Sequence, residues 1–138
     1  MAWLEKTAWV TLAAMLVAYS VYFTVISLTP LSTFSMLALF GAVMVIQVVV
    51  VIVVIAVLAA LSSGEARAKP DERDRAIARR GASTAYYVLM AGVITVGVIM
   101  PFNRSGWSLV NAALFALVSA ETVRQLVIVA SYRRGWHG

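Results

Sequence analysis

Residues 31–61 read LSTFSMLALFGAVMVIQVVVVIVVIAVLAAL, a run without one Asp, Glu, Lys or Arg. A helix needs about 20 consecutive, mostly apolar residues to cross the hydrocarbon of a bilayer, and this run exceeds that length. Its centre, Val48 to Val54, is rich in β-branched residues that favour strands. A lone strand in lipid would leave its backbone groups unpaired, so a membrane-spanning helix is the expectation.

Working outward from this run, three more stretches meet the same criterion. The expected spans are about 9–28, 35–60, 82–100 and 107–131, with a polar loop over 62–81. Pro30 separates the first two into a tight hairpin, because proline lacks a backbone donor and pushes its predecessor out of helical geometry. Pro101 ends the third span in the same way, and Asn103, Arg104, Ser105 and Gly106 supply a polar turn to the fourth. A secretion signal is the competing reading of the N-terminus. Glu5 and Lys6 cancel there, the apolar run is longer than a signal core, and no small-x-small cleavage site follows, so a retained first helix is expected.

The composition agrees. Of 138 residues 62% are hydrophobic and 12% charged, with a mean hydropathy of +0.92, too apolar for a water-soluble chain of this size. The absence of cysteine excludes disulfides, thiolate metal sites and a cysteine nucleophile. A single histidine, His137, excludes a multi-histidine metal site within one chain. No cofactor is expected. The net charge of +5 sits beside the apolar segments, which points to a membrane surface and not to direct contact with nucleic acid.

Orientation follows from where the basic residues fall. Lys6, Arg67, Lys69, Arg73, Arg75, Arg79, Arg80, Arg133 and Arg134 lie on one side of the spans, and Arg104 alone lies on the other. Short loops rich in Lys and Arg stay in the cytoplasm. The expected architecture is therefore an all-α, integral membrane four-helix bundle with both termini on the cytoplasmic side of a bacterial inner membrane. Trp9, Tyr86, Tyr87, Tyr132 and Trp136 would mark its inner interface, and Tyr22, Phe102 and Trp107 its outer one.

Within the 62–81 loop, Pro70 suits a first helical position and Asp71 and Glu72 follow where the helix dipole favours carboxylates. The third helix is thus predicted to begin near Pro70 and to extend into the cytoplasm, with Arg75 spaced for pairing to Asp71 and Glu72. Asp71, Glu72 and Asp74 together suggest a divalent cation. Arg73 and Arg75 are interleaved and compete for the same oxygens, so no metal site is expected. Two readings stay open for Asp71, Glu72, Arg73, Asp74 and Arg75: a solvated helix extension, or a docking surface for a cytoplasmic regulator or a second copy of the chain. The tail pair Arg133 and Arg134 belongs to the same surface.

Inside the membrane the informative residues are Glu121 and Arg124 on the fourth span. Ionisable groups at such depth cost several kcal/mol unless paired or wetted, and at i,i+3 these two can pair on one helix. Ser108, Asn111, Ser119, Glu121, Thr122 and Gln125 share one broad helical face, with Arg124 at its margin, and that face should point away from lipid. Candidate partners are Ser20, Thr24 and Ser27 on the first span and Gln47 on the second. Gly81, Ala85, Gly92 and Thr95 make a small-residue surface on the third. Again two readings stay open, a proton or substrate pathway titrating at Glu121 or an internal ion pair that fixes helix register.

The opening EKTAWVTL, the loop DERDRAI leading into AYYVL, and the tail AETVRQLVIVASYRRG ending at Gly135 together resemble a group of small uncharacterised four-helix bacterial membrane proteins. The resemblance implies no activity. It implies a membrane partner for a helix-turn-helix regulator, since some proteins with a DER-type loop are encoded beside one. The small multidrug transporters are similar only in size, because their essential glutamate lies in the first helix. No catalytic triad, phosphate-cradling glycine loop or metal ligand set is visible, so a non-enzymatic role is expected. That role is an interaction or accessory subunit, as a homo-oligomer or within a larger membrane complex. A small oligomeric transporter or channel using Glu121 is the alternative.

Overall fold

The computed structural model describes residues 2–136, so the lone histidine, His137, lies outside the described residues. Among the described residues every regular element is helical, and four helices are long and apolar enough to cross a membrane. The chain is an all-α, multi-pass membrane protein. Its contacts divide it into two units, one ending at Lys69 and one beginning at Pro70.

The first unit is a helical hairpin, α1 (Trp3–Leu28) and α2 (Thr33–Leu61), followed by the short α3 (Ser63–Arg67). Thr29, directly before Pro30, is extended at φ −124° and ψ 125°, as the proline ring demands. Ser32 then caps α2, its hydroxyl accepting from the Ser35 N–H at 3.2 Å. Helix α1 buries Glu5, Ala8, Leu12, Met15 and Tyr22, whose spacing sets them on one stripe of the helix. Tyr22 is fully buried and meets Phe40 of α2 edge-on, ring centres 5.7 Å apart, and so is a packing residue where an interface ring was expected. Helix α2 buries none of its residues. Apolar side chains facing lipid cost nothing there, which is why a helix hydrophobic all round needs no protein cover.

The 62–81 segment is more ordered than a polar loop. Helix α3 occupies part of it, and the Lys6 ammonium of α1 donates to the Glu65 carboxylate of α3.

The second unit is also a hairpin, α4 (Glu72–Ile94) and α5 (Trp107–Arg133). Pro70 lies outside the helix, which begins two residues later than expected, at Glu72, because Asp71 takes the capping position. Its Oδ1 accepts from the Asp74 N–H at 2.7 Å. Past Ile94 the helix widens into a π-helical turn, Thr95–Ile99, and then tightens into a 3₁₀ turn, Met100–Phe102. Pro101 accounts for both, since it can donate no helical hydrogen bond and its ring crowds the carbonyl four residues back. The Asn103 and Arg104 N–H groups close on the Met100 carbonyl at 2.9 and 2.7 Å, and Gly106, at φ +62°, turns the chain into α5.

Helices α4 and α5 approach closely through small residues. A Cβ added at Gly92 would stand 2.6 Å from the Ala116 Cβ. One added at Gly81 would stand 3.0 Å from Ile128 Cγ1 and 3.1 Å from the Arg124 carbonyl. Gly81 and Ala85 are buried as the small-residue surface requires. Thr95 instead returns its hydroxyl to the Ala91 carbonyl at 2.8 Å.

Candidate functional site

The end of α5 forms a helix-terminating turn that organises the polar end of the second unit. The Arg134 N–H donates to the Ala130 carbonyl at 2.9 Å, Gly135 to Tyr132 at 3.2 Å and Trp136 to Ser131 at 3.0 Å. This is a Schellman arrangement, with Gly135 in the left-handed region at φ +64°. The turn folds Trp136 back over the hairpin instead of letting the tail run on.

Four contacts then join the tail to the start of α4. The Tyr132 hydroxyl donates to an Asp74 carboxylate oxygen. Arg73 Nε donates to the Trp136 carbonyl at 3.1 Å, and its guanidinium lies over the Tyr132 ring, 5.5 Å from the centre. Arg80 lies over the Trp136 ring at 4.7 Å. Cation–π contacts of this kind contribute about 0.5–1 kcal/mol where solvent reaches them. The DERD segment and the YRRG tail, separate in sequence, form one clasp.

The clasp divides the charged residues into two sets. Arg73 and Asp74, half-buried, and Arg80, exposed, are committed to it, whereas Asp71, Glu72, Arg75, Arg79, Arg133 and Arg134 are exposed outside it. The pairing of Arg75 with Asp71 and Glu72 does not form, since Asp71 is turned to cap the helix. Among the described residues no group of carboxylates and histidines is arranged to hold a metal ion.

About two to three turns deeper along α5, Glu121 Oε1 accepts from Arg124 Nη1 at 3.2 Å and from Gln125 Nε2 at 2.6 Å. Gln125 is buried, and both charged side chains are partly exposed, Glu121 at 34% and Arg124 at 44%. A cleft of about 290 Å³ opens beside them, walled by Ala82, Ala85, Tyr86 and Leu89 of α4 and Leu117 and Ala120 of α5. Glu121, Arg124 and Gln125, expected on or beside one helical face, are joined by these hydrogen bonds. Asn111 is half-buried ten residues earlier on α5, about 15 Å along the helix at 1.5 Å per residue, and takes no part in the group. Gln47 is half-buried on α2, in the first unit.

Sequence reasoning missed Trp136 and Tyr132 as parts of a clasp, treating both as interface rings. A glycine after a basic last turn, followed by an apolar residue, is the available signal for that turn. It also missed the contact between Lys6 and Glu65. That hydrogen bond, with the ammonium charge behind it, holds the Glu65 carboxyl below its usual range.

Comparison with family models, with curated proteins and with solved structures yields no match to this chain.

Proposed function

We propose that this chain is a small, non-enzymatic protein of the bacterial inner membrane, N-in and C-in, that acts by holding a partner at its cytoplasmic face. The partner is a cytoplasmic regulator or another subunit of a larger membrane complex, and the chain itself is a homo-oligomer or a component of that complex. The observation carrying this reading is the clasp. A tail that merely anchored the last helix would need no hydrogen bonds to Arg73 and Asp74. Here the two most charged segments are locked together, which presents Glu72, Arg75, Arg79, Arg133 and Arg134 on an ordered base. Preordered charges lose less freedom on binding than charges on a mobile loop.

A photocrosslinking side chain at position 75 tests the proposal in native membranes. It should trap a discrete partner that the same group at position 103, on the opposite end, does not. Equal trapping from both ends, or none from position 75, overturns the reading.

Transport through Glu121 is the second reading. Its support is the cleft beside the carboxylate, and against it stand the two donors already occupying that carboxylate. Proton-coupled flux in reconstituted native protein that Glu121→Gln abolishes would establish it.

A further inference from the structure

A second cleft, of about 440 Å³, opens at the clasped end of the second unit, lined by Arg80, Val127, Ala130, Ser131, Arg134 and Trp136. Its walls differ along its length. Val127 and Ala130 form an apolar side running down α5, while Arg80 and Arg134 carry the rim. From Val127 to Arg134 is seven residues of helix, about 10 Å at 1.5 Å per residue. A ligand filling the cleft therefore has a charged head and an apolar body extending toward the membrane interior.

The sign of that head follows from the lining. Among the described residues both charged groups lining the cleft are guanidiniums, and none is a carboxylate. The nearest acidic group of the clasp, Asp74, is occupied by the Tyr132 hydroxyl. Guanidinium presents paired N–H donors that match phosphate oxygens, and the Ser131 hydroxyl adds another donor at the base. Arg80 is held over the Trp136 ring, and Trp136 is fixed in turn by the Gly135 turn. An indole at this level is at home among lipid headgroups. A zwitterionic lipid would bring its own ammonium against two guanidiniums, and a small soluble phosphate would leave the apolar wall unfilled.

We propose that this cleft binds one anionic phospholipid, its phosphate between Arg80 and Arg134 and the start of an acyl chain along Val127 and Ala130. The site depends on the chain's residence in a membrane and not on its having a protein partner.

Native mass spectrometry of the solubilised full chain tests it, with phosphatidylglycerol, phosphatidylcholine and water-soluble glycerol phosphate as probes. The first phosphatidylglycerol should be held at least tenfold more tightly than phosphatidylcholine. Two basic side chains at a membrane surface are together worth about thirtyfold in affinity, so Arg80→Gln with Arg134→Gln should remove the preference. Arg75→Gln with Arg79→Gln, outside the cleft, should keep it. Should the first double variant fail to fold, Arg134→Gln alone, at an exposed helix end, should weaken phosphatidylglycerol about fivefold. Equal retention of the two lipids by the native chain, undiminished binding after loss of Arg134, or displacement by millimolar glycerol phosphate would each overturn the proposal, the last by making this a site for soluble phosphate.

Discussion

Asp74 and Tyr132, 58 residues apart in the chain, are joined by a hydrogen bond that closes the clasped end of the second hairpin. A phenol donating to a carboxylate is among the stronger side-chain pairs, contributing about 1.5–3 kcal/mol when sheltered and less where water competes. Both groups here are half-buried, so we expect Tyr132→Phe to cost about 1 kcal/mol. Thermal unfolding in detergent of Tyr132→Phe, Asp74→Asn and the double variant should show the two losses failing to add. Additive losses would mean that the two side chains act independently.

The close approach of α4 to α5 leaves no room for a side chain at Gly92. Gly92→Ala forces its new methyl against Ala116, and such overpacking costs about 1–3 kcal/mol. Ala116→Gly in the same chain should recover most of the loss. Gly41→Ala, where nothing stands within 4 Å, should leave stability unchanged or slightly raised. Equal effects at positions 92 and 41 would contradict the packing described.

Glu65 provides a pH signature for the first unit. Its folded carboxyl lies below the ordinary 4.5 because Lys6 bonds to the ionised form. A depressed folded pKa stabilises the folded arrangement above the unfolded value, and that contribution disappears as pH falls through the folded one. The attachment of α3 to α1 should therefore be constant from neutral pH down to about 5 and weaken below 4.5. Carboxyl carbon chemical shifts should place the Glu65 midpoint below 4.5, and Lys6→Gln should raise it toward 4.5. A midpoint indifferent to Lys6 would remove the contact from the account.

The absence of cysteine makes the membrane orientation directly measurable. A single cysteine at Ala68 should react with an impermeant maleimide only after the membrane is opened, and one at Ser105 should react in intact cells. The reverse pattern would invert the topology inferred from basic residues.

The spans were legible because lipid imposes a length and an apolarity on each helix, and 31–61 satisfies both without help from any partner. The pairing of Glu121 with Arg124 was legible too, as was the shared face that carries Gln125, since i,i+3 and i,i+4 neighbours follow from one helix's own geometry. The clasp was not. Whether Tyr132 reaches Asp74 depends on how far α4 slides along α5, and that register comes from the fit of Gly81 and Gly92 against α5, which hydropathy does not encode. Helix α3 was hidden for a different reason. SGEAR has no apolar periodicity, and the Lys6 contact that accompanies it lies far away in sequence.

The partner reading is tested most directly by comparing what co-purifies with three forms of the chain from native membranes. Arg75→Glu with Arg79→Glu reverses exposed charges while leaving every contact of the clasp in place, and Glu121→Gln alters only the intramembrane group. The account predicts that the first variant loses a partner that the native chain and the second variant both retain. A partner retained by the charge-reversed chain and lost with Glu121→Gln would contradict it and move the function into the membrane.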